Sequence, residues 1–430
     1  MTRRVAVTGL GVLCGYGRGV GDLWKGLASG RSAVREHRAY LGRSRWLTYP
    51  MAALQEDATT IVSRLPRPGL LAEGGLDRDL DFLVLADPAL QALEEAGFAS
   101  EESRGGMGLV VTHESPGLAR HVQSFFHWRE IAKTWWRSPH KFRPPDFLYE
   151  QQSASIYRLH SFLYVHYLSA LFGIHGFTLY NNNACASGAF SLALAVDRIR
   201  AGDAEAMLVV GGDAPEDGTK FRWFRDLGLY SSRGACAPFR ADRDGLVLGS
   251  AGAALVLEDL ELARRAGKRI HAEWLGGGFS SEGWKVTLPD VMRWHYVKAI
   301  DRALKSAGAA FGAISLLVPH GVGTGLYDRF ESACLGKVFG DADGAWPALM
   351  PLKGALGHTL GGCVLLEALA GILALEKGAV PPAARSEPLD PALGLGQPRD
   401  ALADSGLLLK CTNGFAGQNG AIVLRAHPPC

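Results

Sequence analysis

The 430-residue chain has no CxxC pair; its seven cysteines (14, 185, 236, 334, 363, 411 and 430) are scattered. That argues against a disulfide framework or a zinc site and fits a reducing compartment. Long apolar runs are also missing, and nothing reaches the ~18–20 residues needed to span a bilayer. Charge of one sign is scarce too: 45 Lys+Arg against 43 Asp+Glu leave a net +2. So weak an excess gives no general affinity for nucleic acid, and a charged partner has to be met by a local patch. The composition is otherwise that of an ordinary globular protein, 47% hydrophobic with 54 glycines, and it allows a sizeable core.

The opening "MTRRVAVTGLGVLCGYG" has two features of a secretion leader, paired arginines and a short apolar run, with Cys14 placed as for lipidation. Against this, "VAVTGLGVL" alternates β-branched and small residues and ends in glycines, as a buried first strand does. We read it as a strand and expect a cytoplasmic protein with no membrane partner.

The chain then goes through one succession of elements twice. The first half offers the strand "RRVAVTGLGVL", the helix "LVLADPALQALEEAG", the strand "GMGLVVT", the helix "ASGAFSLALAVDRIRAG", and the strands "AEAMLVVGG" and "AGAALVLED". The second offers "RIHAEWLGGG", "VKAIDRALKSAG", "ISLLVPHG", "GCVLLEALAGILALEKG", "GLLLKCTNGF" and "GAIVLRA". Strands alternating with amphipathic helices predict mostly parallel sheets covered by helices, here as a duplicated α/β unit. Residues 1–258 form the first half, residues 259–430 the second. One insertion, about 121–150, departs from the repeat. Phe125, Trp128 and Trp135 follow helical spacing in it, beside a stripe of Arg129, Lys133 and Arg137.

Four stretches carry chemistry. "NNNACASGAF" places Cys185 where a helix begins, and a helix N-terminus lowers a thiol's pKa from about 8.5. Taken alone, that stretch fits a buried space-filler as well as a nucleophile. "VPHGVGTGLYDRFE" ends a strand in His320, and "PLKGALGHTLGG" sets Lys353 and His358 before a long helix. Strand ends and helix starts are where α/β sheets place ligand chemistry. "TNGFAGQNG" at 412–420 flanks Phe415 with Gly414 and other small residues, so backbone can approach a substrate closely.

In this order and spacing the four loops, with "VAVTGLGVLCGYGRGVGDLWKGLASGRSAV" and "APFRADRDGLVLGSAGAALVLEDLELARRAG", resemble the β-ketoacyl-acyl carrier protein synthases. The resemblance implies a thiolase-like fold, with duplicated βαβαβαββ halves stacked as a five-layered αβαβα sandwich. It implies that Cys185 is the acylated nucleophile and that His320 and His358 act on a malonyl extender. Lys353 matches the family's lysine, while Asp328 and Glu331 fall on its acidic positions, with Glu331 expected to pair with Lys353. Phe415, after Gly414, matches the residue gating the acyl pocket. Backbone N–H groups of Cys185 and Phe415 are expected to form an oxyanion site, and Thr324 and Thr287 to contact phosphopantetheine. No metal and no organic cofactor are implied; the partners are acyl carrier protein and a second subunit, either a copy of this chain or a chain-length subunit.

Departures from the pattern fall on the loops around that set. Val322 stands where a threonine is expected, and Ser250 where a glutamate is. Asn413, Ala416 and Gln418 replace a phenylalanine, a glycine and a threonine. We read these as altered substrate choice. The insertion's basic stripe either docks an acidic carrier protein or belongs to a helix whose tryptophans cover core; burial of its aromatics favours the second. Decarboxylative condensation is the expected reaction, in polyketide or specialised fatty-acid synthesis. Acyl transfer to oxygen or nitrogen, or a non-catalytic chain-length role, are the rivals.

Overall fold

The computed structural model describes residues 3–427, apart from 42–44, 125–152, 154, 293 and 341–345. The insertion's Phe125, Trp128, Arg129, Lys133, Trp135 and Arg137 therefore lie outside the described residues.

Strands β1 (Val5–Cys14), β2 (Gly108–Thr112), β3 (Thr178–Asn181), β4 (Ala206–Asp213) and β5 (Ala251–Asp259) make the first half-sheet. Strands β6 (Ala272–Ser281), β7 (Leu316–Val318), β8 (Ala348–Leu349), β9 (Leu407–Gly414) and β10 (Gln418–Ala426) make the second. Their spatial orders are β3-β2-β4-β5-β1 and β8-β7-β9-β10-β6, one order used twice. In each half the second strand runs parallel to the third and fourth, and the fifth is antiparallel to both its neighbours. The half-sheets meet along Val5–Val7 of β1 and Ala272–Trp274 of β6.

Helices α1 (Leu80–Glu95), α2 (Phe162–Phe172), α3 (Ser187–Ala201), α4 (Thr219–Asp226), α5 (His295–Ala307), α6 (Gly325–Phe339) and α7 (Cys363–Lys377) complete the repeat, with α4 as an addition to the first half. The expected order βαβαβαββ is thus present in both halves. Helices α3 and α7 pack on each other and on strands of both half-sheets. Their apolar side chains, with the inward faces of the strands, form the central core. Helices α1 and α2 cover the outer face of the first half-sheet, α5 and α6 that of the second, each over its own apolar cluster. The result is the five-layered αβαβα sandwich.

Every residue of β1 is buried, as befits a central strand. Close approach of the inner helices depends on Gly188 at the start of α3, where an added Cβ would lie 3.0 Å from Val364 Cβ and 3.1 Å from Leu365 N. Among the described residues no helix is long and apolar enough to cross a membrane.

Candidate active site

Both inner helices begin at one cavity, and the repeat explains why. In each half the loop after the third strand leads into the inner helix; in the first it carries Cys185, in the second His358. His320 follows β7, the second strand of its half, and Phe415 follows β9, the fourth. A cavity with about 320 Å³ of empty volume is lined by Cys185, His320, His358, Phe415, Thr324 and Asn413, with Phe224, Leu229, Leu246, Val322 and Tyr327 as its other walls. A larger depression of about 1190 Å³, around Arg385, Glu387 and Arg399, contains none of the predicted residues.

Cys185 sits in a tight turn that is held from several sides. Ala184 before it takes φ +50°, a left-handed conformation costly for a residue with a side chain. Asn182 Oδ1 accepts from Ala184 N–H at 3.1 Å, and Ser187 Oγ accepts from Asn183 N–H at 2.7 Å while donating to Ala184 O at 2.6 Å. The N–H of Phe415 is directed at the thiol. Gly414 lies so near that a Cβ there would stand 3.3 Å from Cys185 N. Phe415 itself packs among Trp223, Phe224 and Tyr327, with ring centroids 5.8, 5.8 and 6.2 Å away.

Cys185 departs from expectation in one respect. Burial pushes its thiol well above the ordinary 9, and Cys363 and Glu114 add to this. Lys353 and the Phe415 N–H pull the other way without prevailing. The start of α3 does not outweigh desolvation, because only 5% of the residue is exposed. The resting thiol is protonated.

The two imidazoles lie with ring centroids 5.6 Å apart, nearly perpendicular. Burial holds both well below the ordinary 6.5, helped by Lys353 and Lys410. They are therefore neutral. His358 Nδ1 accepts from Leu360 N–H at 3.1 Å, so its proton resides on Nε2. His320 Nδ1 is 3.4 Å from Thr412 Oγ1, a hydroxyl that also reaches Cys185 O at 3.2 Å.

Beneath the rings lies a buried Lys–Glu–Lys triad. Lys353 Nζ and Lys410 Nζ are each 2.6 Å from one oxygen of Glu367. Lys353 also donates to His320 O at 2.5 Å, and Lys410 to Pro319 O at 3.1 Å. The lysines thus clamp the backbone of the His320 loop and set a positive field beside both imidazoles. Burial, aided by that field, keeps the rings uncharged and able to donate N–H to a developing anion.

Sequence models of the β-ketoacyl synthase N-terminal and C-terminal domains match residues 150–263 and 271–387. The chain belongs to the β-ketoacyl synthase family. Nodulation protein E of Rhizobium leguminosarum bv. trifolii is 28% identical over 432 residues, 99% of this chain and 100% of its own length. The 3-oxoacyl-(acyl-carrier-protein) synthase 2 of Mycobacterium bovis is 33% identical over 250 residues, covering 56% of this chain and 59% of that protein. A solved structure described as the ishigamide ketosynthase/chain length factor superposes with a TM-score of 0.80 at 28% identity, over 99% of this chain and 100% of that one. The fold is accordingly the thiolase-like fold of ketosynthases.

Set against the family pattern, one expected pairing is wrong. Glu331 does not pair with Lys353: its carboxylate accepts from His320 N–H and Gly321 N–H, both at 2.7 Å, and from Tyr296 O–H at 2.8 Å. It lies on α6, facing back toward that helix's own entry loop, whereas Glu367 in the second turn of α7 faces the lysine. Asp328 is likewise spent on backbone, accepting from Phe239 N–H at 2.8 Å and Gly323 N–H at 3.0 Å. Thr324 caps α6 by accepting from Tyr327 N–H, which leaves its hydroxyl proton free for a ligand in the cavity. Thr287 contributes its carbonyl to Tyr327 Oη at 3.0 Å and is not among the cavity's walls.

Proposed function

We propose that the protein is a ketosynthase that joins an acyl thioester, carried on Cys185, to a malonyl extender with loss of CO2. What carries this reading is one cavity that brings together a thiol, two neutral imidazoles and a backbone N–H directed at the sulfur. In the first step Sγ attacks the thioester carbonyl, and the carrier leaves as a free thiol. The Sγ proton needs an acceptor, because the thiol is protonated at rest. With Thr412 donating to Cys185 O, its oxygen accepts from His320 Nδ1–H, and His320 Nε2 presents a lone pair. N–H groups of Cys185 and Phe415 stabilise the tetrahedral oxyanion, the acyl group remaining on sulfur.

In the second step the malonyl thioester loses CO2, and its carbonyl oxygen becomes an enolate. His358 Nε2–H is fixed to meet that charge, and His320 adds a second N–H once Thr412 turns its hydroxyl to Nδ1. The enolate carbon attacks the acyl carbonyl, the C–S bond breaks, and the Cys185 thiolate released takes up a proton from solvent. No step calls for a metal or an organic cofactor.

Incubation with acyl- and malonyl-loaded carrier protein, followed by intact-protein mass spectrometry and CO2 measurement, tests the scheme. The wild type should gain one acyl mass on Cys185, and Cys185→Ala none. His358→Ala should load acyl yet release CO2 about 10²–10³-fold more slowly. Absence of an acyl adduct on the wild type would refute it. Acyl transfer without CO2 release would favour the acyltransferase rival, while a non-catalytic chain-length role is disfavoured by the presence of Cys185.

Carrier protein fits as partner, since the mycobacterial relative's name includes it. A second subunit fits as well: β3 is the outer edge of its half-sheet and leaves Leu179 39% exposed, an apolar edge that demands cover. Sedimentation should give a dimer for the wild type and a smaller species for Leu179→Lys. A wild-type monomer would dispose of this.

A further inference from the structure

Asn413 is a polar side chain, only 2% exposed, in a cavity whose walls also include the apolar Phe224, Leu229, Leu246 and Val322. Its amide is oriented by a buried cluster behind it. Nδ2 donates to Glu282 Oε1 at 3.2 Å and, in a short contact, to Asn419 Oδ1. Asn419 cannot reverse the arrangement, because its own Nδ2 donates to Glu282 Oε1 at 3.2 Å and Ser280 Oγ at 3.3 Å. Turning the Asn413 amide over would set its oxygen against a carboxylate. Both Nδ2 hydrogens are therefore used inside the protein, and Oδ1 is left as the free end. Among the described residues that oxygen is buried and has no hydrogen-bond partner. A buried acceptor without a donor is costly, and the cost is relieved when a ligand brings one.

We propose that Asn413 is a specificity-determining residue whose amide oxygen accepts a hydrogen bond from an N–H or O–H group within a few bonds of the substrate's thioester. This rests on the acyl-thioester reading of the site. Two parts of such a substrate supply that chemistry: a hydroxyl on the acyl chain, or the amide nearest sulfur on a pantetheine-like arm. Glu282 acts at one remove, as the positioning residue that holds Nδ2 and so leaves the oxygen unpaired.

The test measures Cys185 acylation by intact mass with four probes: the hexanoyl and 3-hydroxyhexanoyl thioesters of N-acetylcysteamine and of ethanethiol. In each, Cys185 Sγ displaces the probe's thiol, which leaves carrying the proton. Hexanoyl ethanethiol ester has neither donor and is the reference. The wild type should favour a donor-bearing probe by about tenfold. Asn413→Leu, checked for an unchanged melting profile, should abolish that preference, read as the ratio of each donor-bearing probe's rate to the reference's. Glu282→Gln should abolish it as well, because a neutral amide no longer dictates which way Asn413 faces. Preference between the two acyl groups identifies the chain hydroxyl as the source, and preference between the two thiols identifies the arm amide. Equal wild-type rates with all four probes would overturn the inference alone, as would an Asn413→Leu variant that keeps the wild-type ratio. No acylation by any probe would overturn the acyl-thioester reading and this inference with it.

Discussion

A sulfur surrounded by apolar wall and set near Glu114 keeps its proton longer than a free cysteine does. Burial raises the Cys185 thiol well above 9, and iodoacetamide reacts only with the thiolate. Alkylation of Cys185 should therefore be slow at pH 7 and still be climbing between pH 8 and pH 10 (pH range chosen for the assay). A rate that levels off below pH 8 would show that Lys353 and the start of α3 outweigh burial after all. At this scale the sequence displays the proposed nucleophile and both imidazoles, because each stands at a glycine-rich junction. It hides their controllers. Lys410 lies inside the strand "LLLKCTNG" and Glu367 inside the apolar helix "CVLLEALAG". A lone charge in an apolar run has to be buried and paired; that signal was present, but only the tertiary fold says which charge meets which. The same gap misplaced Glu331, whose partners are backbone N–H groups that no side-chain pattern reveals.

Among the elements, the inner helices α3 and α7 decide whether the site assembles, because Cys185 precedes one and His358 the other. Gly188 lets them touch, its missing Cβ leaving room for Val364 and Leu365. Gly188→Ala should cost about 1–3 kcal/mol of stability through overpacking. It should also lower the condensation rate, by shifting Cys185 away from His358. Thermal melting together with turnover checks both, and an unperturbed melting point would mean that the contact is loose. Most long elements were legible from their periodicity, but helices α2 and α6 were not read from it. Nor were two short strands: β3 has four residues and β8 only two, too few for any alternation to register. Three of the site's loops also hold a non-glycine residue in a left-handed conformation: Ala184, Leu360 and Ala416. Composition gives no hint of that, since surrounding contacts impose it.

For the whole molecule, the two halves are joined by more than the β1–β6 pairing. His271, just before β6, is 1% exposed and lies between the ends of α1 and α7, with Nδ1 2.8 Å from Glu376 and Nε2 3.2 Å from Glu95. Burial works against its charge, but the two carboxylates win and raise it above 6.5. A raised histidine stabilises the fold fully below the unfolded value near 6.5, and its contribution is lost as pH rises through the folded value. The melting temperature should thus fall as pH climbs from 6.5. His271→Gln should cost about 3 kcal/mol at pH 6 and flatten that slope. An identical slope in the variant would assign the pH dependence to other groups.

The repeated strand order has one more consequence. The end of β2 is the counterpart of the end of β7, so His113 occupies in the first half the station that His320 occupies in the second. His113 looks onto acids, Asp81 at 3.0 Å and Asp213 at 3.5 Å; His320 looks onto Lys353 and Lys410. One scaffold thereby gives two imidazoles opposite surroundings: a brace where the neighbours are anionic, and the proposed reagent where they are cationic. The sign of the company kept, more than the station itself, separates masonry from chemistry.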